Sequence, residues 1–107
     1  MSITINIYYT GENGSAVKFA EEMEKSGIAD KIRAEKGNLR YDYFIPMKAN
    51  ETVLLIDSWE NQAAIDAHHA SPMMKEIAAL REKFDLHMKV EQYTAFKNSG
   101  DEKYIRK

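Results

Sequence analysis

The segment SWENQAAIDAHHASPMM, residues 58–74, holds a tryptophan and two adjacent histidines. An imidazole titrates near neutral pH, so a histidine can move a proton during a reaction. At 3.6 residues per turn, His68 falls on the apolar arc of a helix and His69 lies at its edge. His68 is therefore either an acid/base group facing a pocket, with Trp59 as an apolar wall, or a packing histidine.

Metal binding by the two histidines is not expected. Adjacent side chains project about 100° apart on a helix, so His68 and His69 are poorly placed to share an ion. The third histidine, His87, belongs to a distant predicted strand, and the chain contains no cysteine. We therefore expect neither a metal site nor a cofactor, and the missing cysteines exclude disulfides and thiolate clusters.

Two polar residues stand inside predicted strands and leave alternatives open. Asn6 lies in the middle of the first strand, where it either binds a ligand or satisfies a neighbouring backbone group. Asp57 shares a strand face with Trp59, where it either orients a donor in a pocket or pairs with Arg40 of the neighbouring strand. We favour the ion pair for Asp57.

An unusually dense set of aromatic residues accompanies these polar groups. It can line a cavity for a flat, ring-containing ligand, or it can form the core and a dimer contact. The set comprises Tyr8, Tyr9, Tyr41, Tyr43, Phe44, Trp59 and Tyr93. The sequence has no glycine-rich phosphate loop, Ser/His/Asp arrangement or dinucleotide fingerprint.

The composition is that of one ordinary globular domain. The chain has 107 residues, 30% of them charged, and a net charge of -2, with acidic and basic residues interspersed. Nucleic acids and anionic membranes require a concentrated basic surface, so neither is expected as a partner. No apolar run is long enough to span a membrane, and MSITINIYYT lacks a basic leader. We expect a cytoplasmic domain over residues 1–98 and a polar tail over 99–107.

The elements that position these residues follow from periodicity. The predicted strands are residues 2–9, 39–47, 52–59 and 86–97. Three helices are predicted. The first is capped by Ser15, is weakened at Ser26-Gly27 and ends at Gly37. The second covers residues 62–70, and the third begins at Pro72. The order β-α-β-β-α-β is typical of a ferredoxin-like α+β fold, a split βαβ arrangement with a four-stranded antiparallel sheet and helices on one face.

A sheet covered on one face leaves the other face for a partner. Strands two to four carry large apolar residues. The sequence pattern does not decide which of them face the helices and which face the partner. They are Tyr43, Ile45, Val53, Leu55, Met88, Val90 and Phe96. We expect a homodimer packed sheet against sheet, with folding coupled to association.

The segments GNLRYDYF and VLLIDSWENQAAIDAHHASPMMK resemble the antibiotic biosynthesis monooxygenase (ABM) family. Its motifs are G-x-L-x-[YF], [ED]-x-W and A-h-x-A-H-x-x-[ST]-P, where h is apolar. The matching residues are Gly37, Leu39, Tyr41, Asp57, Trp59, Ala64, Ile65, Ala67, His68, Ser71 and Pro72. The resemblance covers about residues 2–97. It implies a dimeric α+β barrel with a pocket between each sheet and its helices, and it places the family's helix histidine at His68.

Family members include cofactor-independent monooxygenases of quinols and polycyclic phenols, haem-degrading enzymes, and an isomerase of a phosphorylated signal, autoinducer-2. Many members have a histidine directly after the Ser/Thr-Pro pair, where this chain has Met73, and this difference weighs against the isomerase. Haem degraders keep a tryptophan at the position of His68 and a ligating histidine about three turns later. This chain has Ala78, Ala79 and Leu80 there, so haem is not expected.

The leading hypothesis is a homodimeric monooxygenase that oxidises a quinol or another electron-rich aromatic molecule with O₂. In this hypothesis His68 is the base, and Asn6, Tyr41, Asp57 and Trp59 contact the substrate. One alternative is an isomerase of a small phosphorylated carbonyl compound, anchored by Arg40 or Lys75. Another is a dimer that binds a small ligand without turnover.

Overall fold

The computed structural model describes residues 1–96 and 99–107, which form four strands, four α-helices and one 3-10 helix. The strands are β1 (Ile3–Thr10), β2 (Asn38–Phe44), β3 (Thr52–Trp59) and β4 (His87–Thr94). The helices are α1 (Ser15–Lys25), α2 (Ile28–Arg33), α3 (Gln62–His69), α4 (Met73–Lys83) and the 3-10 helix η1 (Ser99–Tyr104). The sheet has the order β2-β3-β1-β4 and all its pairs are antiparallel, which confirms the ferredoxin-like α+β prediction.

The turn before α1 differs from the prediction. Gly14 precedes the helix in the left-handed conformation, at φ 77°, a conformation that glycine adopts without the steric cost of a Cβ. Ser15 is the first helical residue, and its Oγ accepts a hydrogen bond from the backbone N–H of Glu12 at 3.1 Å. The predicted Ser15 cap was therefore wrong. β4 ends at Thr94, so the predicted strand over residues 86–97 was too long, while Lys97 itself and the domain boundary at Asn98 lie outside the described residues.

One face of the sheet is covered by the helices and forms the core. Ile7 and Tyr9 of β1 stand opposite Leu55 and Val53 of β3, and all four side chains are buried. They pack in one cluster with Phe19, Met23, Ile32 and Ile77 of the helices. Each aliphatic side chain buried in this way contributes about 1.5–3 kcal/mol. Val53 and Leu55, whose facing the sequence left undecided, therefore belong to the helix side.

The other face carries no helix among the described residues, and we call it the open face. Residues directly opposite each other in a ladder share a face, so the register defines its members. They are Thr4, Asn6, Tyr8 and Thr10 of β1, Arg40, Asp42 and Phe44 of β2, Thr52, Leu54, Ile56 and Ser58 of β3, and His87, Lys89, Glu91 and Tyr93 of β4. The open face thus mixes apolar and polar side chains more evenly than the sequence pattern suggested.

The start of β2 lies directly against α3. Gly37 has a φ of 87°, and a Cβ added there would lie 2.6 Å from the Cβ of Ala64, so only glycine fits. Asn61 caps the N-terminus of α3, and its side chain accepts a hydrogen bond from the Ala64 N–H at 2.9 Å. This packing brings the loop before β2 next to α3. No helix in the described part of the chain is long and apolar enough to cross a membrane.

Candidate functional site

A cavity of about 220 Å³ lies between the sheet and the helices α3 and α4. Its apolar wall includes Ile5, Ile7, Leu55 and Ile77. Its polar lining includes Tyr41 of β2, Asp57 of β3, His68 of α3 and Arg81 of α4. The structure therefore brings three of the predicted site residues, His68, Tyr41 and Asp57, together from three different elements.

A larger groove of about 660 Å³ runs between α1 and the strands β2 and β3. It is lined by apolar side chains, among them Val17, Tyr43 and Ile45, and by charged residues of α1. All the predicted site residues lie elsewhere in the fold. We therefore place the candidate site in the smaller cavity, where side chains able to transfer protons converge.

His68 is held from two sides. Its ring lies against the fully buried indole of Trp59, with 4.9 Å between the ring centroids. Its Nδ1 lies 2.8 Å from Oε1 of Glu35, in the loop between α2 and β2. Because a carboxylate only accepts hydrogen bonds, we assign the ring proton to Nδ1, which leaves the lone pair on Nε2. Trp59 thus holds the ring of His68 by packing against it.

Glu35 was missed by the sequence reasoning, since it lies 33 residues before His68 in a charged segment typical of a solvated turn. His69, adjacent to His68 on α3, is exposed, as predicted. Within residues 1–96 and 99–107, no three histidine, aspartate or glutamate side chains are placed to hold a metal ion.

Asp57 is a buried carboxyl, 5% exposed, whose Oδ1 has no hydrogen-bond partner among the described residues. Burial raises its pKa from 3.8 to about 7; the nearby Trp59 indole opposes this rise, and the charge of Glu35 adds to it. At neutral pH Asp57 therefore exchanges between its acid and its carboxylate form, and can either donate or accept a hydrogen bond.

The predicted ion pair between Asp57 and Arg40 was wrong. A register shift between Asn38 and Arg40 places Arg40 opposite Ser58, on the open face. There its Nε lies 3.1 Å from Oδ2 of Asp42. Asp57 stands opposite Tyr41 instead, on the helix side of the sheet.

Tyr41 provides a neutral hydroxyl beside Asp57. Its hydroxyl lies 3.1 Å from that of Tyr43, and the two rings meet edge to face with centroids 5.6 Å apart. Burial raises the pKa of both phenols above the usual value of 10.0. Tyr41 therefore keeps its proton at physiological pH and can donate it to a hydrogen bond.

Arg81 is the second residue that the sequence reasoning missed, because REK is typical of a solvated helix face. Its Nη2 donates a hydrogen bond of 3.0 Å to the hydroxyl of Tyr9, and its guanidinium carbon lies 5.6 Å from the centre of that ring. Its Nε is buried and unpaired within the described chain. The available signal was the spacing, since Arg81 lies one turn after the buried Ile77.

Asn6 does not share this cavity. It stands opposite Ile56 of β3 and Glu91 of β4, on the open face, so the sheet separates it from His68. Its Oδ1 is buried and unpaired as far as the described residues extend. The alternation of side chains along β1 decides this placement, because Ile5 and Ile7 occupy the helix side.

Comparisons with known proteins agree with this architecture. The family model for antibiotic biosynthesis monooxygenase matches residues 2–80. None of the curated proteins matches the chain. Among solved structures, SnoaB, a cofactor-independent oxygenase from Streptomyces nogalater, is 13% identical with a TM-score of 0.75, covering 92% of this chain and 96% of its own.

Two further solved structures have the same fold. A candidate antibiotic biosynthesis monooxygenase from Deinococcus radiodurans is 20% identical with a TM-score of 0.76, and the alignment covers 92% of this chain and 95% of the other. A conserved protein from Methanosarcina mazei is also 20% identical, with a TM-score of 0.74 and coverages of 87% and 91%. At these identities the similarity establishes the fold alone.

Proposed function

This chain belongs to the antibiotic biosynthesis monooxygenase family, and we propose that it is a cofactor-independent monooxygenase of a quinol or another electron-rich aromatic molecule. The observation that carries the proposal is the pair of His68 and Glu35 at the cavity between sheet and helices, 2.8 Å apart. A histidine with its Nδ1 fixed by a carboxylate has its other ring nitrogen free to act as a base. SnoaB, a fold relative described as a cofactor-independent oxygenase, supports the same assignment.

The chemistry requires no external reductant. His68 Nε2 removes a proton from a ring hydroxyl, and the resulting anion transfers one electron to O₂. The substrate radical and superoxide combine through a carbon–oxygen bond, and His68 returns the proton to the peroxide. The carbon that carries the peroxide is the one that is a CH₂ group in the keto tautomer of the substrate. Loss of water from this carbon leaves a carbonyl, so one oxygen atom of O₂ enters the product and the other leaves as water.

The protein contributes deprotonation and exclusion of water. Tyr41 can donate a hydrogen bond to a substrate oxygen, and the apolar wall of Ile5, Ile7 and Leu55 limits the hydration of the anion. A preorganised donor in a low-dielectric site stabilises a developing anion more strongly than water does. In this proposal Trp59 acts by holding His68, and Asp57 contacts the substrate.

An isomerase that acts on a phosphorylated carbonyl compound is less well supported. It requires a cationic anchor, for which the sequence suggested Arg40 or Lys75. Arg40 lies on the open face in an ion pair with Asp42, and Lys75 is an exposed residue of α4 outside the cavity lining. Both suggested anchors are therefore in the wrong place.

The second part of the proposal is a homodimer that packs through the open face. Leu54 and Ile56 of β3 lie there next to Phe44 of β2, on a face that no described helix covers. The unpaired Oδ1 of Asn6 is also on this face. In a dimer Asn6 would therefore contact the partner subunit, and its contribution to the reaction would be indirect.

Oxygen uptake with a panel of hydroquinones tests the proposed activity. His68→Ala should lower the rate by about 10²–10⁴-fold, the range for loss of a general base. His87→Ala is the matched control, because this exposed histidine at the start of β4 lies outside the cavity lining, and it should keep the wild-type rate. Glu35→Gln should lower kcat with little change in KM, because an amide can donate to Nδ1 and favour the wrong tautomer.

Circular dichroism melts establish that each variant is folded before the rates are compared. Equal loss in the His68 and His87 variants would contradict the assignment of the base. No oxygen uptake with any hydroquinone, together with tight binding of one of them, would indicate a ligand-binding protein without turnover.

A further inference from the structure

Two residues that line the same cavity from different elements each carry a buried atom without a partner in the described chain. One is the donor Nε of Arg81 on α4, and the other is the acceptor Oδ1 of Asp57 on β3. Native proteins rarely leave such atoms unpaired, because a buried polar group without a hydrogen bond is costly. Both residues line a cavity, so a bound molecule that reaches these atoms can pair them.

Arg81 is fixed in place before a ligand arrives. Its Nη2 hydrogen bond to the Tyr9 hydroxyl is 3.0 Å long, and its guanidinium lies over the Tyr9 ring. Tyr9 is fully buried in the core, so this contact immobilises the arginine. A guanidinium stays protonated at any physiological pH and carries several donors in a rigid plane. The Nε donor therefore offers a permanent positive charge and a defined direction.

The acceptor lies toward the other end of the cavity along the strands. Tyr9, which holds Arg81, pairs with Val53, whereas Asp57 pairs with Ile5. A ligand that pairs both atoms therefore needs an acceptor at one end and a hydroxyl donor at the other.

The cavity volume limits what lies between these two ends. It is about 220 Å³. An apolar cavity of about 150 Å³ holds one benzene molecule, and pockets for drug-sized ligands measure about 300–1,000 Å³. The available space therefore fits one aromatic ring with small substituents, and a ligand of three or four fused rings is too large.

We propose that Arg81 selects a single-ring phenol or hydroquinone, binding the ionised oxygen at Nε while Asp57 Oδ1 accepts a hydrogen bond from a second hydroxyl. This inference rests on the proposed function only in treating the cavity as the substrate site. It adds a binding residue and a substrate size. The other titratable groups that face the cavity are His68, His69 and Tyr41, of which only the histidines can add positive charge.

Binding of 4-nitrophenol, whose phenolate absorbs visible light, tests this role without turnover. The wild-type protein should bind the phenolate and lower the pH at which the bound probe ionises by at least one unit. Arg81→Met should weaken binding at least tenfold and abolish that shift, since a charged hydrogen bond is lost. Arg106→Met, the same change at an exposed residue, is the matched control and should bind like wild type.

Arg81→Lys covers the case in which Arg81→Met fails to fold. It keeps the charge but not the Nε donor, so its affinity should fall severalfold while part of the ionisation shift remains. The three-ring probe 2-hydroxyanthraquinone, whose hydroxyl makes no internal hydrogen bond, should bind at least tenfold more weakly than 4-nitrophenol, and inorganic phosphate should not displace 4-nitrophenol.

Several outcomes would overturn the inference. They are binding of the neutral phenol, equal affinities in Arg81→Met, Arg81→Lys and wild type, tight binding of the three-ring probe, and displacement by phosphate. The two proposals fail separately. If oxygen uptake depends on His68 but probe binding does not depend on Arg81, only this inference is wrong. If probe binding depends on Arg81 but no oxygen is taken up, only the proposed monooxygenase activity is wrong.

Discussion

Polar side chains are paired differently on the two faces of the sheet. On the open face most of them pair with each other: Thr4 with Ser58 at 2.8 Å, Arg40 with Asp42, and Lys89 with Glu91. On the helix side the described side chains of Asp57, Trp59 and Arg81 each keep a buried polar atom without a partner. The open face thus satisfies most of its own hydrogen bonds, whereas the helix side leaves several unsatisfied around a cavity.

This difference separates a surface built for packing from a site built for a ligand. Polar pairs on a sheet surface add little stability and need no additional molecule. Unpaired buried atoms lower stability, and functional sites are where such costs are found. The exception on the open face is Asn6, whose Oδ1 is unpaired in the described chain and lies where we propose the partner subunit.

The largest expected effect comes from placing a charge on each face in turn. Leu55 is 1% exposed on the helix side, so Leu55→Asp should cost more than about 4 kcal/mol and leave no cooperative thermal transition. Ile56, the next residue on β3, lies on the open face. Because the buried core lies on the helix side, we expect Ile56→Asp to remain folded as a monomer at micromolar concentration, in place of the coupling of folding to association that the sequence pattern suggested. Circular dichroism and analytical ultracentrifugation measure the two results.

Two outcomes would remove the distinction between the faces. If Ile56→Asp also fails to fold, the open face is as necessary to the monomer as the core. If Ile56→Asp and wild type have the same mass in ultracentrifugation, the proposed dimer does not use this face.

A smaller effect is expected from the pH dependence that Asp57 gives to stability. Its folded pKa, about 7, is above its ordinary value of 3.8, so between these two pH values the folded protein binds the extra proton. The stabilisation that comes from protonated Asp57 is therefore fully present below about pH 4 and is lost as the pH rises to about 7. Three pKa units correspond to at most about 4 kcal/mol.

Asp57→Asn keeps a neutral side chain at every pH. It should therefore flatten the dependence of stability on pH between pH 4 and pH 7 and raise the melting temperature at pH 8. Melting curves between pH 4 and pH 8 measure both changes. Asp66→Asn, at an exposed position on α3, checks that loss of a carboxylate does not by itself flatten the profile. A wild-type profile that rises from pH 4 to pH 7, with the same slope in Asp57→Asn, would refute the assignment.

The smallest effect is expected from the polar pair on the open face. Thr4→Val leaves the mostly buried Ser58 hydroxyl without its partner and should cost about 1 kcal/mol. Combining it with Ser58→Ala should cost less than the sum of the single changes, because the unpaired group is then gone. Urea denaturation measures the coupling. A strictly additive pair would show that the hydroxyls contribute independently.

The sequence by itself determined the elements and their order. Strand β3 begins and ends where the pattern predicted, at Thr52 and Trp59, because an apolar run between two turns is a local signal. The break at Gly27 separates α1 from α2 for an equally local reason, a φ of 86° that favours glycine. The spacing also placed His68 on the buried arc of α3 and His69 at its edge, so the histidine of the proposed site was found from periodicity.

Tertiary structure decided which polar groups meet. A one-residue shift at the start of β2 moved Arg40 to the open face and left Asp57 opposite Tyr41, and a pattern of period two cannot detect such a shift. The partner of His68 lies 33 residues away, and the partner of Arg81, Tyr9, lies 72 residues away. Local periodicity carries no information about contacts at such separations, because only the packing of helices on the sheet brings these side chains together.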